Sequence, residues 1–194
     1  THYPFRSWCV HCTRGKCKAS QHRISGGSEA SEVPIVGFDY AFLSDRRSKG
    51  EDDAEDVDDA TLKVLVGHDS KSKVCAAIPV PQKGVDLEDW SVKESLKFFE
   101  FLGYQKVIIK TDQEEALNAV IRKLNLYRGA DTQTMQEHSP VGSSQSNGAT
   151  DRRIQTIEGQ IRTLRSAFES RTGSKLPTSS PLFAWLPVHA GSII

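Results

Sequence analysis

Three aspartates stand where a carboxylate needs a reason: Asp39 inside IVGFDYAFL, Asp112 at the end of KVIIKTD, and Asp151 after the small polar loop SSQSNGAT. A carboxylate within or at the end of an apolar strand loses hydration on folding, and a bound divalent cation is one effective compensation. An exposed strand end is the other reading, and it stays open for Asp112. Three acids converging from such distant positions can hold two Mg²⁺ ions roughly 4 Å apart, one activating an attacking oxygen and one stabilising the leaving oxygen of a phosphodiester. Without metal they repel and raise one another's pKa. Asp151 also has a plainer reading as a first-turn acid, favoured by the positive end of a helix.

The elements that must position these acids follow from pattern. After Asp151, residues Ile154, Ile157, Ile161, Leu164 and Phe168 recur at spacings of three and four, the stripe of an amphipathic helix. Asp151 is expected to open that helix, with Asn147 and Gly148 in the turn before it and Thr150 as a cap. The loop GSSQSNG is either a mobile wall offering amides and hydroxyls to phosphate or bases, or a plain linker. Upstream, VPIVGFDYAFL reads as a buried strand bounded by Pro34 and SDRRSK, and LKVLVGHD and KVCAAIPVP read as a hairpin joined by SKS. LEDWSVKESLKFFEFLG has helical spacing with Gly103 as its stop, followed by strand KVIIKTD, helix EEALNAVIRKL, and TQTMQEHS as a short edge strand. Pro181 precedes a last helix. This order predicts an α/β architecture, a mixed sheet covered by helices of the RNase H-like kind. Trp90, Phe98, Phe99, Phe101, Trp185 and the isoleucine stripe are expected in the core.

The 194 residues, 37% hydrophobic and 26% charged, suffice for one substantial core with appendages. No apolar run approaches the roughly 18 residues of a membrane span, and the opening THYPFRSW lacks a signal-peptide layout, so an intracellular protein with no membrane partner is expected. The start at Thr1 and the still-periodic ending PLFAWLPVHAGSII lead us to expect a fragment. Formal net charge is zero, yet seven of the nine residues in EDDAEDVDD are acidic, which leaves 25 basic against 18 acidic residues elsewhere. A basic body suits a polyanionic partner, although such a surplus is common without one. The acidic run reads as a solvated loop, with Ser44 to Ala60 expected to be unordered; mimicry of DNA is the sharper alternative. Cys75 lies in an apolar strand and is expected in the core, and the cysteine set fits a reducing compartment.

The blocks VGFDYAF, VIIKTDQEEAL and SPVGSSQSNGATDRRIQTIEGQIRTL resemble the three catalytic blocks of integrases of LTR retrotransposons and retroviruses, over roughly Val33 to the C-terminus. The resemblance implies a polynucleotidyl transferase that joins element DNA ends to target DNA in the nucleus. Asp39, Asp112 and Asp151 would be the catalytic acids and would bind Mg²⁺ or Mn²⁺, placed to share one cleft from neighbouring elements. Asp112 and Asp151 are 39 positions apart, close to the family spacing. One departure matters: the family carries Glu as third acid, and Asp151 is one methylene, about 1.5 Å, shorter. Glu158 does not substitute, since seven helical residues span about 10 Å.

Gln145, Ser146, Asn147, Arg152, Arg153 and Arg162, with Arg165 nearby, match positions with which the family grips DNA; a solvated helix face is the other reading of the arginines. The head HYPFRSWCVHCTRGKCKASQH resembles the end of the family's zinc-binding module. Cys9 and Cys12 would then be Zn²⁺ ligands in the full-length protein, with His2, His11, Cys17 and His22 as further candidates, and free thiols the alternative. The implied organisation is residues 1–30 as module end and linker, and 33–194 as a catalytic core carrying the acidic loop 44–60 and truncated at its C-terminus. DNA and further copies of the chain are the implied partners. Two rivals stand beside this reading: a non-catalytic RNase H-like nucleic-acid-binding remnant, and a metal-dependent nuclease.

Overall fold

The structure, a computed structural model, describes residues 33–44, 61–138 and 148–194, all within the compact unit Glu32–Ile194. The acidic run, Cys9 and Cys12, and Gln145, Ser146 and Asn147 lie outside the described residues.

Alternating apolar residues build strand β1 (Ile35–Leu43), β2 (Leu62–Asp69) and β3 (Cys75–Val80) into an antiparallel meander. The polypeptide then crosses through helix α1 (Trp90–Leu102) to lay β4 (Lys106–Thr111) parallel to β1, and through α2 (Glu115–Arg128) to lay β5 (Gln133–His138) parallel to β4. Helices α3 (Gly148–Thr172) and α4 (Pro181–Ile193) complete the fold. The five strands run in the order β3-β2-β1-β4-β5. This is the mixed, RNase H-like sheet that the order of elements predicts, with TQTMQEHS on the edge as expected. No helix among the described residues is long and apolar enough to cross a membrane.

Strand alternation divides the apolar residues between two cores. On one face, Val36, Phe38, Leu65, Val107 and Ile109 pack with Val92, Phe98 and Phe99 of α1 and Leu117, Val120, Ile121 and Leu124 of α2. On the other, Ala41, Val64, Val66, Cys75 and Ala77 meet Ile157 and Ile161 of α3 and Phe183, Leu186 and Ala190 of α4. Burying such side chains stabilises the fold by about 1.5–3 kcal/mol each before entropy is charged against it. Helix α1 ends where Gly103, in the left-handed region, returns its N–H to the Phe99 carbonyl at 3.0 Å, as its place in the sequence predicts.

Two expectations need correction. The described part of α3 begins at Gly148, so Thr150 is not a cap but a helical residue, 2% exposed on the core side. Trp90, Phe101 and Trp185 are not core residues. Trp90 starts α1 and donates its indole N–H to the Pro79 carbonyl at 2.9 Å, Phe101 lies on the outer side of α1, and Trp185 stacks on His189 one turn along α4. In each case helical phase, not hydrophobicity, decides the side. Phe98, Phe99, Ile157, Ile161 and Cys75 are buried as expected.

Close packing makes one glycine obligatory. A Cβ at Gly67 of β2 would come within 2.9 Å of the Phe38 ring and 3.0 Å of Phe98, rings locked by their edge-on contact with each other. We predict that Gly67→Ala destabilises the fold by about 1–3 kcal/mol through overpacking, read as a lower urea midpoint at unchanged slope.

Candidate active site

Strand register brings the first two acids to neighbouring positions. Parallel strands β1 and β4 pair Phe38 with Thr111, and Asp39 and Asp112 each follow one residue later at the same end of the sheet. Phe38 faces α1 and α2, so alternation turns Asp39 toward the face covered by α3, where its antiparallel partner Val66 packs. Asp151 lies in the first turn of the described α3 and is partly buried. Ile157 and Ile161 seat that helix against this same face.

Electrostatics couple the three acids. Burial pushes the Asp39 carboxyl up from the ordinary 3.8 to about 6. The Tyr40 backbone N–H, donating to Asp39 Oδ1 at 2.7 Å, partly opposes this, and the charges of Asp112, Asp151 and Glu114 add to it. The Asp151 carboxyl is also raised, by burial first and then by Asp112. Each of the three therefore feels or exerts the field of another, as convergence requires. Among the described residues, however, no group of three His, Cys, Asp or Glu side chains stands close enough to hold a metal ion. Donor type and charge fit a hard divalent cation, whose field would offset the burial and the neighbouring charges that lift Asp39. The set is not closed to ligating distance.

Two residues at this site escaped the reading by motif. Glu114, two positions beyond Asp112 at the start of α2, adds a fourth negative charge near Asp39. Lys83, in the connection from β3 to α1, pairs with Glu114 at 2.6 Å. The signal for Glu114 was present in TDQEE, but a surface acid next to a helix start has no distinguishing pattern.

The arginines of α3 divide. Arg152 is exposed. The Arg153 charge acts on His68 of β2 and Cys75 of β3, holding the His68 pKa down after burial has lowered it. Arg162 is exposed and paired with Glu158 one turn back at 3.7 Å, and Arg165 pairs with Glu169 and lies over the Phe183 ring at 5.2 Å.

No family model matches the chain, and no curated protein matches it. Among solved structures it is similar to the HTLV-2 integrase catalytic core domain in complex with magnesium. For the trimeric form the identity is 13% and the TM-score 0.47, over 78% of this chain and 82% of that one. For the dimeric form the values are 12% and 0.48, over 80% and 88%. It is also similar to a chain of the simian T-cell lymphotropic virus intasome in complex with PP2A regulatory subunit B56 gamma, at 12% identity and TM-score 0.44, over 80% of this chain and 47% of that one.

Proposed function

We propose that the protein is the catalytic core of a retroelement integrase, a polynucleotidyl transferase that joins a DNA 3′-hydroxyl to a target phosphodiester. The observation that carries this reading is the gathering of Asp39, Asp112 and Asp151 at one end of the sheet, with burial and mutual repulsion lifting Asp39 to about 6. A structural acid inside a strand would be paired with a cation or fully hydrogen-bonded; Asp39 instead has the charges of further carboxylates acting on it.

In this role the three aspartates would hold divalent cations, Mg²⁺ or Mn²⁺, which would supply activation of the attacking oxygen and stabilisation of the leaving one. The chain's own residues do the positioning. The β1–β4 pairing fixes Asp39 against Asp112, and the packing of Ile157 and Ile161 fixes the approach of Asp151. Arg152 and the amide-rich Gln145, Ser146 and Asn147 belong to the DNA-binding rim in this reading, while Arg153 and Arg162 must exchange their present neighbours to reach phosphate. A homo-oligomer acting on DNA ends in the nucleus, with Zn²⁺ held through Cys9 and Cys12 in a longer polypeptide, completes the proposal.

The test is a strand-transfer reaction with a labelled duplex carrying an element end, in Mg²⁺ and in Mn²⁺. Joined product is the expected result. Binding without reaction would favour a non-catalytic remnant, and cleavage without joining a nuclease.

A further inference from the structure

The face of β4 turned toward α2 is apolar until its last layer and polar there. Val107 and Ile109 belong to the core on that face, and Thr111, the next residue of β4 to point the same way, is also fully buried. Valine would fill the same space, so the hydroxyl is explained by what it meets. Edge strand β5 supplies the partners. Its register sets Gln136 beside Ile109 and His138 beside Thr111. The Gln136 amide donates through Nε2 to Asn118 Oδ1 of α2 at 2.9 Å and, in a longer bond of 3.4 Å, to Thr111 Oγ1. His138 Nδ1 stands 3.5 Å from the same hydroxyl. An amide nitrogen carries two protons, and here each has its own acceptor.

Those two acceptors bracket Asp112. Thr111 is the residue before it and ends β4, while α2 begins at Glu115, and the Asn118 N–H closes the first turn of that helix on the Glu114 carbonyl at 3.0 Å. One side chain from the neighbouring strand therefore holds both ends of the short segment Asp112 to Glu114. The clamp lies on the α2 side of the sheet, whereas alternation turns Asp112 to the α3 side with Asp39. It touches no carboxylate. Its tie to the candidate site is the peptide bond between Thr111 and Asp112, so whatever fixes Thr111 fixes the base from which the Asp112 side chain projects.

We propose that Gln136 is a positioning residue for Asp112, clamping the end of β4 to the first turn of α2 from the opposite face of the sheet. This rests on Asp112 being a ligand of the divalent cation. A hard cation gains from carboxylates held at ligating distance, and like-charged acids left unanchored move apart. Anchoring Asp112 from behind limits the movement that cation binding has to bring about, as supporting residues do for ligands they hold in place.

The experiment follows Mn²⁺ binding to the full chain by electron paramagnetic resonance, alongside urea unfolding of the same samples. Gln136→Met keeps the length of the side chain and loses both donors. It should lower the Mn²⁺ affinity of the folded protein about three- to tenfold, less than the ten- to hundredfold typical of a group bonded directly to a ligand. Asn118→Leu should do the same, and the double variant should lose no more than either alone, since both remove one clamp. Gln133→Met, exposed on the same strand, is the control and should bind as the parent does. A merely structural Gln136 would lower the urea midpoint and leave the Mn²⁺ affinity of the folded protein unchanged. That result overturns the positioning role, as does a double variant whose losses multiply. A parent that binds no Mn²⁺ overturns Asp112 as a ligand, and the positioning role with it. A parent that binds Mn²⁺ and joins no DNA overturns the proposed transferase, while the Mn²⁺ affinities of the variants still decide for or against the clamp.

Discussion

Replacing Asp39 by Asn should make the metal-free protein more stable and leave it catalytically dead. The folded-state pKa of Asp39, about 6, lies above the ordinary 3.8, so between those values the native state binds more protons than the unfolded one. Stability therefore falls as pH rises through that window, and above it the cost is fully present. One pKa unit is worth about 1.4 kcal/mol, and after allowance for partial solvent screening the ionised carboxylate costs about 1–2 kcal/mol. Asn keeps the size and cannot ionise. Metal-free Asp39→Asn should melt about 2–6 °C above the parent at pH 7.5, and the gain should vanish below about pH 4. Mg²⁺ should raise the melting point of the parent and not of the variant. Strand transfer should fall at least about a thousandfold, the loss of some 4 kcal/mol of charge stabilisation. A variant with parental melting and parental transfer would show that Asp39 is an ordinary solvated acid.

The second large effect concerns Asp151. Its carboxyl is raised by burial and by Asp112, yet the acids are not drawn into a ligating group among the described residues. Reach is what a shorter side chain lacks. Asp151→Glu should extend the carboxylate by about 1.5 Å and raise both Mn²⁺ affinity and transfer rate. A misplacement near 1 Å can cost on the order of a hundredfold, so a gain of about ten- to a hundredfold is expected. Asp151→Asn should abolish transfer and leave urea unfolding within about 0.5 kcal/mol of the parent. Mn²⁺ titration followed by electron paramagnetic resonance separates binding from turnover. If Glu and Asn both match the parent in affinity and rate, Asp151 is only a first-turn acid.

Strands β1 to β4 were legible because each is an apolar run with sharp punctuation: Pro34 before β1, the SKS turn between β2 and β3, Gly103 closing the helix before β4. The acids were legible because Asp39 and Asp112 interrupt such runs and so carry a contrast that a loop acid lacks. Which side a helix turns inward was less legible. Phe98 and Phe101 differ by three positions and look alike in sequence, yet one is 7% and the other 73% exposed, since phase is set by what α1 packs against. The pairing of Lys83 with Glu114 was not legible at all. The two are 31 positions apart, and no local pattern encodes a contact of that range.

The sheet is half meander and half crossover, and the boundary runs through the candidate site. Strands β1, β2 and β3 pair with neighbours in sequence, while β4 reaches β1 only after α1 has been traversed. Local pairings close quickly and distant parallel ones slowly. Asp39 lies at the seam between the local meander and the distant parallel pairing that brings Asp112 beside it. Closing that pairing brings like charges together, so carboxylate repulsion is expected to bear on the kinetics of assembly as well as on the finished protein, read as faster refolding of metal-free Asp39→Asn.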